Sequence, residues 1–412
     1  MTEGIAEEIS RSIAPVSLRT VPIDAENSKL DAAAFQVKAV TDPAGLEGIF
    51  KLRYLVFTEE QGKHVGLADH DRQQLSDELD AHSKHFQVSH NGVVVGGMRI
   101  VYGADHISSE MRENLGIDHF LTKVSSKEIV FSSRLFILKE FRSTPALFKL
   151  FDFCYRSARE NGAKFDIIYC KPNLVRLYEH LGYRRYRAYF DHPSLGLEVP
   201  MALATEDLVF LKAISSPLAL SARHFPCDGK LNHWFENTFP DCKEIISPVT
   251  LGSHSFLELI SKKINDSVPT VFRDLSTEEK QDLLTLTTHL SVKAGTRVIR
   301  RGDPGAELYL IIDGVAEVTV DREGLSPLLL STFGPGDTFG EMALLSNTKR
   351  LADVTAKGPL EVVLFDDQTI KRLMNKRPSI VAKLLYNLAR VLALRFELSS
   401  IELATATMNG TS

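Results

Sequence analysis

At 412 residues, 44% of them hydrophobic and 25% charged, the chain is longer than a usual single domain and has the make-up of a folded protein, which points to two domains and a connector and excludes a collagen-like or disordered chain. The formal net charge of -5 gives no global attraction to nucleic acid or to anionic lipid. Four cysteines, Cys154, Cys170, Cys227 and Cys242, have neither zinc-ligand spacing nor the density of a disulfide framework, so no metal is expected and a reducing cytoplasm is.

Residues 1–33 are polar and non-periodic and read as a flexible tail. Their start, MTEGIAEEISRSIAPVSLRT, has no basic flank with an apolar core, and no run of about eighteen apolar residues occurs anywhere, so neither export nor a membrane span is expected. From 34 to 212 the pattern is regular. AGLEGIFKLRYLVFTEEQG has helical spacing up to Gly62, and HFQVSHNGVVVGGMRIVYG alternates around an Asn-Gly turn as a β-hairpin. EIVFSSRLFIL is a strand, ALFKLFDFCYRSARENG a helix, FDIIYC a strand, NLVRLYEHLGY a short helix and YRRYRAYF a strand. Residues 213–267, with the single Trp234, read as a connector. From 268 to 405 short β-rich runs separated by glycines are followed by helices. The predicted fold class is α+β: a mixed sheet with helices, then a β jelly-roll barrel with flanking helices. The chain stops soon after one long helix, without a helix-turn-helix, which argues against a transcription factor.

In the front half, KLRYLVFTEEQG, SDELD, GGMRI and FSSRLFI carry two acids three apart and three arginines from different elements. Buried together, these groups must pair with one another; taken singly, each is an ordinary solvated side chain. The ordered set resembles the acyl-homoserine lactone synthases and the related N-acyl amino acid synthases of the GNAT acyltransferase superfamily, over about Phe35–Met201. The resemblance implies that Arg53, Phe57, Asp77, Asp80, Arg99 and Ser133 shape the substrate cleft, with Arg134 beside the reacting atoms. CKPNLVRLYEHLGYRRY resembles the GNAT segment in which an Asn and a Tyr lie near the thioester. Tyr178 would then be the acid for the departing thiolate, with Asn173 and Pro172 in the same motif; its alternative is a core aromatic on a helix face.

Where GNAT proteins carry a glycine-rich pyrophosphate loop, this chain has EFRSTPALFKLF, which favours a carrier-protein donor over coenzyme A. Phe131 and Lys63 hold the places of the lactone synthases' basic Glu and of their Trp, and Glu128 would face the other side of its strand, so lactone synthesis is not expected. Glu60 is taken as the base. Arg184, Arg185 and Arg187 form either a docking patch for an acidic carrier or a solvated strand edge.

In the back half, FGEMALLSNTKRLADV sets a glycine, an acid and an arginine around a short apolar helix. Gly340 admits close approach of a ligand, Arg350 offers a planar charged donor pair and Glu341 can accept from a hydroxyl; the alternative is a surface salt bridge. The spacing resembles the phosphate-binding cassette of cyclic nucleotide-binding domains. By that resemblance Gly340, Glu341, Met342 and Ala343 hold ribose and phosphate, Arg350 the phosphate, and Leu351 its backbone. Leu351, where a small or hydroxyl residue is usual, and the extra acid Asp353 leave cAMP or cGMP open. The expectation is a cyclic nucleotide-regulated N-acyltransferase moving an acyl group from a thioester, on acyl carrier protein or acyl-CoA, to the amine of an amino acid. Two alternatives stand beside it, a cAMP-gated protein lysine acetyltransferase using acetyl-CoA and a non-catalytic cyclic nucleotide-sensing protein.

Overall fold

The computed structural model describes residues 31–142, 144–192, 195–239, 271–284, 286–322, 324–346 and 348–409. Almost all of the expected tail, and the connector beyond residue 239, lie outside the described residues. The chain divides into two compact units: Met1–Cys170, Leu177–Arg187 and Val199–Glu244 form the first, and Lys171–Arg176, Ala188–Glu198 and Ile245–Ser412 the second.

An eight-stranded mixed sheet organises the front half. It contains β1 (Phe35–Val40), β2 (Ser83–His90), β3 (Val93–Tyr102), β4 (Ile129–Ile137), β5 (Phe165–Cys170), β6 (Arg184–Arg185), β7 (Phe190–His192) and β8 (Gly196–Ala204), in the order β1-β2-β3-β4-β5-β8-β6 with β7 against β8. The β2–β3 hairpin turns at Asn91 and Gly92, both at positive φ, as their Asn-Gly pair dictates. Among the described strands only β4 and β5 run parallel. Helix α1 (Pro43–Arg53) starts where Asp42 accepts the Gly45 N–H at 2.8 Å, and continues as a wider π-helical turn over Tyr54–Glu60. Its apolar face, Ile49, Leu52 and Val56, packs on Val40, Val94 and Phe136.

YRRYRAYF, expected as one strand, forms only the short β6 and supplies the first residue of β7. The long strand β8 carries no alternation because every one of its residues is buried, and Pro200 inside it reads as a strand breaker. Helices α2 (Leu208–Ala213), α3 (Ala219–Ala222) and α4 (Lys230–Thr238) lie within the first unit. Trp234, on α4, packs with Phe120, Phe165 and Phe239 at centroid distances of 5.9, 5.7 and 6.1 Å, inside that unit's aromatic core.

The second unit is a sandwich of two four-stranded antiparallel sheets rather than a closed barrel. One sheet has the order β10-β15-β12-β13 and the other β14-β11-β16-β9, built from β9 (Thr288–Val292), β10 (Arg297–Ile299), β11 (Leu308–Asp313), β12 (Ala316–Arg322), β13 (Leu325–Phe333), β14 (Thr338–Phe339), β15 (Asp353–Ala356) and β16 (Leu360–Phe365). Leu290, Ile311, Phe339, Val354 and Val362 from both sheets fill its core. The lead helix α5 begins at Thr277 and runs to Leu284, its start fixed where Ser276 and Glu279 exchange hydrogen bonds with each other's backbone N–H groups. Two helices close the unit, α6 (Asp367–Lys376) and α7 (Pro378–Asn409), with Ile380, Leu384 and Leu388 buried against Leu283, Leu310 and Phe365. Among the described residues no helix is long and apolar enough to cross a membrane.

Candidate functional site

Three strands and the end of α1 bring the front-half candidates into one network. Arg99 on β3 lies opposite His85 of β2 and Ser133 of β4, so its Nε donates to Ser133 Oγ at 2.9 Å. Its Nη1 donates to both Asp77 and Asp80, the latter at 2.8 Å. Arg53, fully buried at the end of α1, donates to Asp80 Oδ1 at 2.7 Å and meets His85 Nδ1 at 3.2 Å. Arg134 grips Asp77 Oδ2 through Nε and Nη2, at 3.0 and 2.6 Å, and its Nη1 lies 2.6 Å from His64 Nε2. The two acids also brace each other's loop, since Asp80 Oδ2 accepts the Asp77 N–H and Asp77 Oδ1 the Leu79 N–H.

Burial works against ionisation of Asp77, yet the bonds and charges of Arg99 and Arg134 hold its carboxyl far below the usual range. Burial pushes Arg53 down to about 10 against the pull of Asp80, and burial followed by the Arg53 charge lowers His85. Phe57 packs edge-on to His64 and to Phe136, at 5.9 and 6.4 Å.

Beside this network the sheet parts. Pairing of β4 with β5 covers only Ile129–Phe131 against Phe165–Ile167, after which β4 runs on to Ile137 without that neighbour. Asp166, buried where the strands separate, accepts from the Ser132 N–H (3.1 Å), Ser132 Oγ (2.7 Å) and Tyr183 OH (2.7 Å). Burial raises its pKa to about 6 against those bonds. Tyr183 in turn lies edge-on to Tyr178 at 5.3 Å, and Tyr178 is buried with Phe151 on its other side. Asn173, in the turn ahead of Tyr178, keeps a buried Oδ1 without a hydrogen-bond partner among the described residues.

Other expectations land elsewhere. Glu60 is held by Arg142 through two bonds of 2.6 and 2.8 Å, outside the network. Glu128 precedes β4 and pairs with Lys164. Arg184 and Arg185 are neither a docking patch nor a solvated edge: both are buried, Arg184 between Phe210 and Phe235 with Asp207 as partner, Arg185 on Glu179.

In the second unit the cassette helix runs over Glu341–Ser346, ahead of α6. Gly340 stands at φ +85°, and a Cβ there would lie 2.6 Å from the Glu307 carbonyl and 2.8 Å from Arg350 Nη1. Arg350, buried, donates from Nη1 to the Glu307 and Gly340 carbonyls and from Nη2 to Glu307 Oε2 at 2.6 Å. Glu341 is buried, its Oε2 has no hydrogen-bond partner among the described residues, and burial raises its pKa. Arg395 of α7 reaches to 3.5 Å from Glu341 Oε1 and from Asp337, and lies over Phe333. Ala343 is buried, whereas Met342 and Leu351 are exposed. Asp353 turns away to accept the Arg301 N–H at 2.9 Å. The cassette therefore offers a guanidinium for an anion and a carboxylate oxygen for a hydroxyl.

Residues 48–205 match the family described as N-acyl amino acid synthase FeeM, and residues 289–377 match the cyclic nucleotide-binding domain. The chain thus carries an N-terminal N-acyl amino acid synthase domain and a C-terminal cyclic nucleotide-binding domain. The cAMP-dependent protein kinase regulatory subunit of Schizosaccharomyces pombe is 35% identical over 116 residues, 28% of this chain and 27% of that protein. Its counterpart in Yarrowia lipolytica is 38% identical over 104 residues, 25% of this chain and 27% of that protein. The chain spans about a quarter of the length of these curated relatives. Among solved structures, a Methylobacillus flagellatus cyclic nucleotide-binding domain is 25% identical, covering 36% of this chain and 81% of that one at a TM-score of 0.32. The Thermus thermophilus catabolite activator protein is 29% identical, covering 34% and 63% at 0.31.

Sequence reasoning missed His64, His85, Asp166, Tyr183, Glu307 and Arg395. Asp166 had a signal, a lone acid inside the apolar run FDIIYC. Glu307 and Arg395 had none, because their partners stand 43 and 54 or more positions away and meet them only in the fold.

Proposed function

We propose that this chain is a GNAT-type N-acyltransferase that moves an acyl group from a thioester to the amine of an amino acid, under the control of a cyclic nucleotide. The observation that carries the reading is the parting of β4 from β5 beside the acid and arginine network, inside the stretch that matches the synthase family. Beyond Phe131 the β4 edge leaves the β5 ladder; its first N–H, of Ser132, serves Asp166, and the N–H groups further along would face a ligand. A thioester carbonyl laid along them would have its developing oxyanion held there. The neutral amine attacks the carbonyl carbon, the C–N bond forms, the C–S bond breaks, and the thiolate takes the Tyr178 hydroxyl proton. The amine's proton leaves to a base, a role we assign to Asp166, which lies at the root of the fork and whose pKa burial raises to about 6. Arg53, Phe57, Asp77, Asp80, Arg99, Ser133 and Arg134 form the wall of the cleft.

A carrier-linked acyl donor is favoured over coenzyme A. At the helix start within EFRSTPALF, Thr144 Oγ1 already accepts the Ala146 N–H at 3.3 Å, and no glycine opens the turn to a pyrophosphate. In the second unit Arg350 would take the nucleotide phosphate, Glu341 Oε2 a ribose hydroxyl, and Gly340, Met342, Ala343 and the Leu351 backbone would line the cradle. The relatives named for cAMP support that ligand. Incubating the full chain with acyl carrier protein bearing a long acyl chain, and separately with acetyl-CoA, against a panel of amino acids tests the reading by mass spectrometry. New long-chain N-acyl amino acids are expected; acetylation of protein lysines alone, or no amide at all, overturns it.

A further inference from the structure

The network of the first unit contains three guanidinium groups, Arg53, Arg99 and Arg134, and two carboxylates, Asp77 and Asp80. His85 is held neutral by burial beside Arg53, and His64 Nε2 faces an Arg134 N–H and so accepts from it. Glu60 offers no compensation, since both its oxygens serve Arg142. The cluster therefore carries one positive charge more than it can neutralise, and a charge of that kind in a buried place calls for an anion.

The side of the network nearest solvent is that of Arg134 and Asp77. The side chains of Arg53, Arg99 and Asp80 are 1%, 3% and 7% exposed, against 14% for Arg134 and 21% for Asp77. Arg134 is turned to that side by a bulge: Gly97 and Arg99 of β3 pair with Phe136 and Ser133, so three steps along β4 face two along β3. It holds φ +54° within a strand, and its partner His64 holds φ +55°. Two strained non-glycine residues in contact mark a place where geometry is kept for a ligand rather than for stability. Asp77 and His64 use three of the five Arg134 N–H groups, which leaves one on each terminal nitrogen, enough for a carboxylate to bridge.

Resting on the acyl-transfer reading, we infer that Arg134 receives the α-carboxylate of the amino acid acceptor, which supplies the anion the network lacks and sets the amine at the fork. An anionic group could also come from the donor's phosphopantetheine arm. Arg134 lies only three residues beyond the last β4 residue paired with β5, close to where the thioester carbonyl would lie. An acceptor carboxylate is one carbon from its own amine and must bind beside the reacting carbonyl, whereas the arm's phosphate is many bonds from the sulfur.

The test compares, in the full chain with a carrier-linked long-chain donor, each amino acid with its primary amide. Wild type should favour the acid by about ten- to a hundredfold in kcat/KM, the value of one charged hydrogen-bonded pair. Arg134→Gln should raise the acceptor's KM by a similar factor and erase the preference for acid over amide, with the donor's KM unchanged. Equal use of acid and amide by wild type, which needs no variant and so no assumption about folding, overturns the inference while leaving acyl transfer intact. A rise in the donor's KM with the acid preference kept assigns Arg134 to the phosphate and overturns it too. Failure of wild type to acylate any acceptor removes the acyl-transfer reading itself.

Discussion

Replacing Arg350 with Ala removes more than a contact to phosphate. Its guanidinium meets Glu307 Oε2 at 2.6 Å, and Glu307 is itself largely shielded from solvent. Loss of the charged bond to a bound phosphate costs about 1.5–3 kcal/mol. The substitution also leaves the Glu307 carboxylate unpaired on the wall of the cradle, where two like charges about 6 Å apart repel by about 3 kcal/mol at an effective dielectric constant of 20. Arg350→Ala should therefore weaken cAMP binding by about 4.5–6 kcal/mol, roughly two thousand- to twenty thousandfold. Adding Glu307→Gln to that variant removes the second effect and should restore binding to within about ten- to a hundredfold of wild type. Competition of cAMP against a fluorescent cyclic nucleotide on the full chain measures all three proteins. A double variant as weak as Arg350→Ala would show that Glu307 does not face the phosphate and would refute the reasoning.

Further outcomes follow from particular residues. Asp166 has its folded-state pKa raised by burial to about 6, so the folded protein holds a proton there that the unfolded chain has lost. Stability from this group is full at low pH and falls by about 3 kcal/mol as pH rises from about 4 through about 6; the wild-type minus Asp166→Asn difference in denaturant unfolding should follow that slope, and a rise or a flat line over that window would contradict it. Leu384→Ala, emptying a buried position of α7, should destabilise the second unit by about 2–5 kcal/mol in a denaturant titration, and a loss below about 1 kcal/mol would mean that α7 is not packed as described. Saturating cAMP should change the acylation rate about 5- to 150-fold by shifting α7, whose Arg395 joins Glu341 and Asp337. Trp234 belongs to the first unit's aromatic core, so its emission reports on that unit, and an unchanged rate in protein shown to bind cAMP would end the regulatory reading.

The sequence by itself determined the two-part organisation and the local motifs whose signals are short in range. The Asn-Gly hairpin, the cassette with ten positions between Gly340 and Arg350, and the ordered acids and arginines are all patterns a few residues long, set by turn chemistry and by side-chain type. Only the tertiary structure decided what those side chains do, because charge compensation depends on partners far apart in the chain. Arg184 and Arg185 read as a surface patch and are buried because Asp207, Glu179 and two phenylalanines come to them from other elements. Strand β8 escaped notice for a related reason: burial on both faces erases the alternation by which a strand is recognised, and no sequence window shows what lies above and below it. The surplus charge at Arg134 and the unsatisfied oxygen of Glu341 are likewise sums over neighbours, and those neighbours are assembled only by the fold.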